Sequence, residues 1–281
     1  MTATTDFAVL NLSGCSGCEV GLLNAEDWIG KYRLAYMPLI LSSEDLPPVD
    51  KLIVSGSVYT DEDRYRLRQA ARRAHQIIAV GTCAISGGVA NLGYRDEVRE
   101  LFFQATERHQ LPRILPRLRP VDAVVPVDLY VPGCPPMPHL FTAALFNPKG
   151  YQTAKTVCLD CGRQKTRERP SRLLGFQRDV TDPVSCLINQ GYLCVGSSTR
   201  GGCHAPCTRA GHPCVGCRGP SDGFISRSSQ EWFEAMARVF QRMTDIPPQE
   251  IDQALHSPQL SLFIFQFADY AAVPREVEKV L

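Results

Sequence analysis

Twelve cysteines in 281 residues carry the chemistry open to this sequence. Cys186, Cys194, Cys203, Cys207, Cys214 and Cys217 fall within one short stretch, interleaved with Gly191, Gly196, Gly201, Gly202, Gly211 and Gly216 and with Pro206 and Pro213. Gly and Pro at that density rule out a long helix or a central strand. They suit a chain that winds closely around a bound group with thiolates turned inward. Cys158 and Cys161, in C-L-D-C, bring this half to eight cysteines, and Cys15, Cys18, Cys83 and Cys134 lie far apart in the first half. The total is three sets of four with none left over. Four soft, deprotonated thiolates are what a cubane iron–sulfur cluster requires. Glycines let backbone N–H groups approach its sulfurs.

Two other uses of cysteine are weighed. A disulfide framework belongs to small secreted domains that lack a core, whereas this chain is 44% hydrophobic. Its first residues, M-T-A-T-T-D-F, show no basic region, twin arginine or apolar signal core, so a cytoplasmic home is expected. A reducing compartment favours metal binding over disulfides. C-x-x-C pairs alone would suit zinc, and a zinc scaffold is the rival reading. Single cysteines at 186, 194, 203 and 207 fit two adjacent clusters better than a zinc ribbon. A net charge of +1 makes no case for nucleic acid, and no apolar run is long enough to span a membrane. There is no Gly-rich dinucleotide fingerprint after a strand and no phosphate-binding Walker loop.

The first half alternates strands and helices. Strands are expected at 7–12, 51–58 and 76–83 and within 121–136, and helices at 18–30, 61–75 and 138–146, with Gly30 closing the first. Asp61, Glu62 and Asp63 suit the start of the second helix. This predicts an α/β fold with a parallel, doubly wound sheet of the flavodoxin type over residues 1–150. Cys15, Cys83 and Cys134 each follow a strand, in S-G-C, V-G-T-C and V-P-G-C. The carboxyl ends of such strands line the ligand crevice, so the three should converge at one edge.

An irregular, cysteine-rich iron–sulfur domain is expected over 151–281. Its 162–172 loop is basic and reads either as solvated surface or as a docking patch for an acidic electron-transfer partner. Trp232, Phe233, Met236, Val239, Phe240 and Met243 share one helical face within 228–243, as core or subunit packing requires. S-L-F-I-F-Q-F-A (261–268) suggests a closing strand or an interface segment.

S-G-C-S-G-C-E (13–19), G-T-C (81–83) and P-G-C-P-P (132–136) resemble the motifs of the small, electron-transferring subunit of nickel–iron hydrogenases, a resemblance that covers roughly residues 7–220. It implies a proximal 4Fe–4S cluster on Cys15, Cys18, Cys83 and Cys134. The small cluster-binding subunit of respiratory complex I shares this domain, but it has adjacent cysteines in its first motif and no second cluster domain. The resemblance further implies a medial cluster on Cys203, Cys207, Cys214 and Cys217 and a distal one on Cys158, Cys161, Cys186 and Cys194. Membrane-attached and periplasmic uptake enzymes use an H-x-x-C motif at the distal site; here Cys158 stands in the histidine's place. Three all-cysteine 4Fe–4S clusters resemble the cytoplasmic, group 3-like enzymes, of deazaflavin-reducing, heterodisulfide reductase-linked or sulfhydrogenase type.

Such a chain would hold no catalytic residue of its own. It would relay electrons between the Ni–Fe centre of a large partner subunit and a flavin- or iron–sulfur-containing acceptor subunit. Glu19, directly after Cys18, reads equally as a proton-transfer neighbour and as an ordinary helix-start residue. His204 and His212 lie among the ligands but are not needed by a full cysteine count. The alternative is a hydrogenase-like subunit recruited to a different, complex I-related oxidoreductase.

Overall fold

The computed structural model describes residues 5–42, 45–88, 100, 111–150, 156–174, 182–224, 229–256 and 279–281. The chain divides into two compact units, Met1–Tyr151 with Phe267–Leu281, and Gln152–Gln266.

In the first unit, β1 (Thr5–Asn11), β2 (Tyr32–Tyr36), β3 (Val49–Ser55), β5 (Ala74–Val80) and β7 (Leu129–Val131) form a wholly parallel sheet in the order β2-β1-β3-β5-β7. This is the flavodoxin-type order, with its topological switch between β1 and β3. β4 (Val58–Thr60) and β6 (Ile114–Arg119) make a separate antiparallel pair. Period-two alternation sends Phe7, Val9, Ile53 and Ile78 to one face and Ala8, Leu10, Leu52 and Ile77 to the other. Helices cover both faces, as a parallel sheet requires. α1 (Gly17–Leu23) and α4 (Pro138–Phe146) bring Leu22, Phe141 and Leu145 to the first face, and α2 (Asp61–Ala71) brings Leu67 to the second.

Several expected boundaries move. The first helix stops at Leu23 rather than running to Gly30, and Trp28 folds back so that its indole N–H donates to Leu22 C=O at 3.0 Å. The third expected strand ends at Val80, and Cys83 lies inside a short helix, α3 (Gly81–Ser86). The expected strand at 51–58 ends at Ser55, and β2, β4 and β6 are additional to the expected strands.

α2 begins with a capping box: Asp63 N–H donates to Thr60 Oγ1 at 3.0 Å, and Thr60 N–H donates to Asp63 Oδ2 at 2.9 Å. The same carboxylate oxygen accepts from Ser13 Oγ at 2.7 Å and from Tyr59 N–H at 3.1 Å, tying the loop before Cys15 to this helix. Asp63 is buried, so Asp63→Ala strands several donors at once. The variant is expected to lose about 2 kcal/mol of stability, read as a lowered denaturant midpoint; an unchanged midpoint would contradict the anchoring role.

The second unit holds α5 (Val157–Cys161), α6 (Pro206–Arg209), α7 (Ser229–Met243) and α8 (Pro248–His256), and its described residues between α5 and α7 are mostly irregular. Trp232, Met236 and Phe240 are buried at intervals of four along α7, while Phe233, Val239 and Met243 are half-buried. The stripe read from the sequence is therefore core. Asn189, itself buried, braces the basic loop by accepting from Thr166 N–H at 3.1 Å and donating to Glu168 C=O at 2.7 Å. The segment 261–268 lies outside the described residues. Among the described residues no helix is long and apolar enough to cross a membrane.

Candidate metal centres

Cys15, Cys18, Cys83 and Cys134 meet at the carboxyl edge of the sheet. They line one solvent-open pocket with about 340 Å³ of atom-free space, together with Glu19, Ser55 and Thr82. Cys15 and Cys18 follow β1, Cys83 sits in the first turn of α3 after β5, and Cys134 follows β7. Ser16 makes the left-handed turn between the first two at φ 61°, its hydroxyl accepting from Asn11 Nδ2 at 3.3 Å. Thr82 joins the other two: its N–H and its hydroxyl both donate to Gly133 C=O, at 2.9 and 3.2 Å. Gly81 lies at φ 83°, and a Cβ there would fall 2.4 Å from Cys18 Sγ. The pocket thus takes its shape from a position where only hydrogen fits.

Burial pushes the Cys18 thiol well above its ordinary range, and the nearby charges of Glu19, Cys83, Cys134 and Cys15 add to the rise. The cost of these neighbouring charges falls away when the thiolates share a cationic group. Glu19 is buried, accepts from the Ser55 hydroxyl, and has one oxygen, Oε2, without a hydrogen-bond partner. It is not an ordinary solvated residue at a helix start.

In the second unit, Cys158 is pushed up to about 11 by burial and by Cys186 and Cys161, with Lys165 pulling the other way. Cys194 rises to about 12, chiefly through burial, with Cys158 and Cys186 contributing. Cys158 is therefore within electrostatic reach of Cys161, Cys186 and Cys194. Cys186 is pinned by its N–H donating to Gln164 C=O at 2.7 Å. In the remaining four, burial and then Cys203 raise Cys207, while burial and then Cys194 and Cys217 raise Cys214. In the turn between the two pairs, His212 N–H donates to Cys207 C=O at 2.8 Å. His204 and His212 are exposed, and His212 Nδ1 lies 2.8 Å from Pro213 C=O.

None of the twelve cysteines forms a disulfide. Among the described residues no three His, Cys, Asp or Glu side chains close tightly enough to grip a single ion. A cubane, several ångströms across, takes four thiolates spaced around it, and the four cysteines that line the open pocket at the sheet edge are the right number and kind of ligand. One exposed thiol falls in each set: Cys15, Cys158 and Cys207.

Sequence reasoning missed a repeated turn. Cys194-Val195-Gly196 and Cys214-Val215-Gly216 each return the glycine N–H to the sulfur of their own cysteine. The two C-V-G triplets were the available signal. The basic loop is also less free than its composition suggests. Arg163 donates to Thr208 C=O at 2.7 Å and Ser185 C=O at 2.9 Å, and Arg169 pairs with Asp245 at 2.8 Å while capping the end of α7. Lys165, Arg167 and Arg172 stay exposed.

Residues 15–147 match the family described as NADH ubiquinone oxidoreductase, 20 Kd subunit. A subunit of the F420-non-reducing hydrogenase of Methanococcus voltae is 30% identical over 241 residues, covering 79% of this chain and 84% of that protein. Sulfhydrogenase 2 subunit delta of Pyrococcus furiosus is 29% identical over 257 residues, covering 89% of this chain and 97% of that protein. The actinobacterial-type NiFe-hydrogenase from Ralstonia eutropha H16 shares the fold, with a TM-score of 0.53 at 15% identity over 92% of this chain and 88% of that one. The similarity to hydrogenase subunits runs well past the first unit into the cysteine-rich one, so the chain belongs to the family of small subunits of group 3-type NiFe hydrogenases.

Proposed function

We propose that this chain relays electrons between the Ni–Fe centre of a large partner subunit and an acceptor subunit that carries flavin or iron–sulfur groups. It would do so through three 4Fe–4S clusters. The observation that carries the reading is the meeting of Cys15, Cys18, Cys83 and Cys134, from three separate strand ends, around one pocket. When bound, such clusters take up and release single electrons. The protein's part is to hold the thiolates, exclude bulk water from the buried sulfurs and direct backbone amides at them.

In this reading the proximal set is Cys15, Cys18, Cys83 and Cys134. The medial set is Cys203, Cys207, Cys214 and Cys217, and the distal set is Cys158, Cys161, Cys186 and Cys194. Residues 1–150 form the proximal domain and 151–281 the domain of the other two. Exposed Cys15 and Val20 belong to the face that meets the large subunit, with Glu19 as the proton-transfer neighbour. Leu159 and Val184 are exposed apolar residues beside Cys158 and Cys186 in the sequence, and Lys165 is close enough to shift Cys158. That combination suits an acceptor with an acidic rim.

The match of residues 15–147 to a complex I subunit family supports a second reading, in which the same wire serves a different oxidoreductase. Metal and acid-labile sulfide analysis separates the possibilities, using the complex isolated anaerobically through a tag on this chain. About twelve irons with matching sulfide per chain, together with nickel, are expected. The same iron without nickel moves the wire to the second reading. Zinc without sulfide overturns both.

A further inference from the structure

The two C-V-G turns of the second unit touch each other directly. Val195 N–H donates to Cys214 C=O at 3.0 Å, and Cys214 N–H donates to Cys194 Sγ at 3.3 Å. The backbone of one four-cysteine set therefore hydrogen-bonds a sulfur of the other. Thr199 closes the arrangement and is almost fully buried. Its C=O accepts from Val157 N–H at 3.0 Å, one residue before Cys158. Its hydroxyl lies 2.8 Å from Val195 C=O, one residue after Cys194, and also reaches the Cys214 sulfur. The hydroxyl donates to that carbonyl and stands beside the Cys214 sulfur.

We propose that Thr199 is a positioning residue for both metal sites of this unit, holding the two C-V-G turns in register and raising the reduction potential of the group held by Cys214. The inference rests on the iron–sulfur reading above. A hydrogen bond to a ligating sulfur favours the more negative, reduced state, so it moves the potential upward. Val195 and Val157 border the other set, and Thr199 holds the first with its hydroxyl and the second with its backbone carbonyl.

The test uses the full chain in its native complex, isolated anaerobically. Thr199→Val keeps the shape and removes the hydroxyl, and Thr199→Ser keeps the hydroxyl. Iron and sulfide are counted first, and the potentials are then followed by EPR-monitored redox titration. Thr199→Val is expected to retain its iron and to show a downward shift of one midpoint, with the others unmoved. Thr199→Ser should restore the wild-type value. Loss of one set's iron in Thr199→Val alone, with Thr199→Ser intact, would also support the positioning role. Unshifted midpoints in an iron-replete Thr199→Val, or equal losses in both variants, would overturn the proposal. Absence of iron and sulfide from the wild-type complex would instead defeat the iron–sulfur reading itself.

Discussion

Gly81→Ala is expected to strip the first unit of its metal while leaving the fold in place, so that iron falls by about a third of the full complement. The added methyl carbon would stand 2.4 Å from Cys18 Sγ, far inside van der Waals contact. The cheapest relief is rotation of Cys18 about χ1, which swings its sulfur out of the pocket it shares with Cys15, Cys83 and Cys134. The left-handed φ of 83° adds about 1 kcal/mol for a residue with a side chain. Gly30→Ala is the control: φ there is 79°, and nothing lies within 4 Å of the added carbon. It carries the backbone strain without the clash and should keep all its iron. Far-UV circular dichroism and iron content per chain decide the matter. A Gly81→Ala protein with its full iron would show that Cys18 is not a ligand.

Cys158→His is expected to raise the potential of the distal set. Imidazole is neutral where the thiolate carries a charge, so the exchange favours the reduced state. Replacing two cysteines by histidines on one iron moves two-iron centres by some hundreds of millivolts, so a single exchange here should move the midpoint by on the order of 100 mV. The site has room: Cys158 is packed about by protein yet still reaches solvent, and Leu159 beside it is 69% exposed. EPR-monitored titration should show one signal shifted upward and the other two fixed. A distal midpoint that stays still would mean that Cys158 is not a ligand.

The sheet and the convergence of cysteines are legible in the sequence because both depend on local, repeated signals. β1, β3 and β5 are apolar runs, and each strand end is marked by Gly, Pro or Cys. β2 escapes because Tyr32, Arg33, Leu34, Ala35 and Tyr36 mix polar and apolar residues on an edge strand, where pairing on one side does not demand an apolar run. Spacing alone overextends the first helix because Trp28 fits its apolar face. The structure uses that indole as a hydrogen-bond donor to Leu22 instead. Asp63 reads as a charge suited to a helix start, but its bond to Ser13 joins residues fifty apart and is a tertiary fact. Thr199 gives no signal, since its role depends on two turns meeting in space. Arg163 and Arg169 look like surface charge because composition does not say which backbone carbonyls a guanidinium will reach.

The exposed thiols Cys15, Cys158 and Cys207, one in each set, bear on how such a protein is built and how it ages. In the iron–sulfur reading, a group with one solvent-exposed ligand would be delivered through that side, and oxidants would reach it by the same route. On that reading each set would have a period of vulnerability that starts with loading and ends when another surface covers its exposed cysteine. The order in which partners arrive would set the length of that period, making assembly a protective choice as much as a structural one.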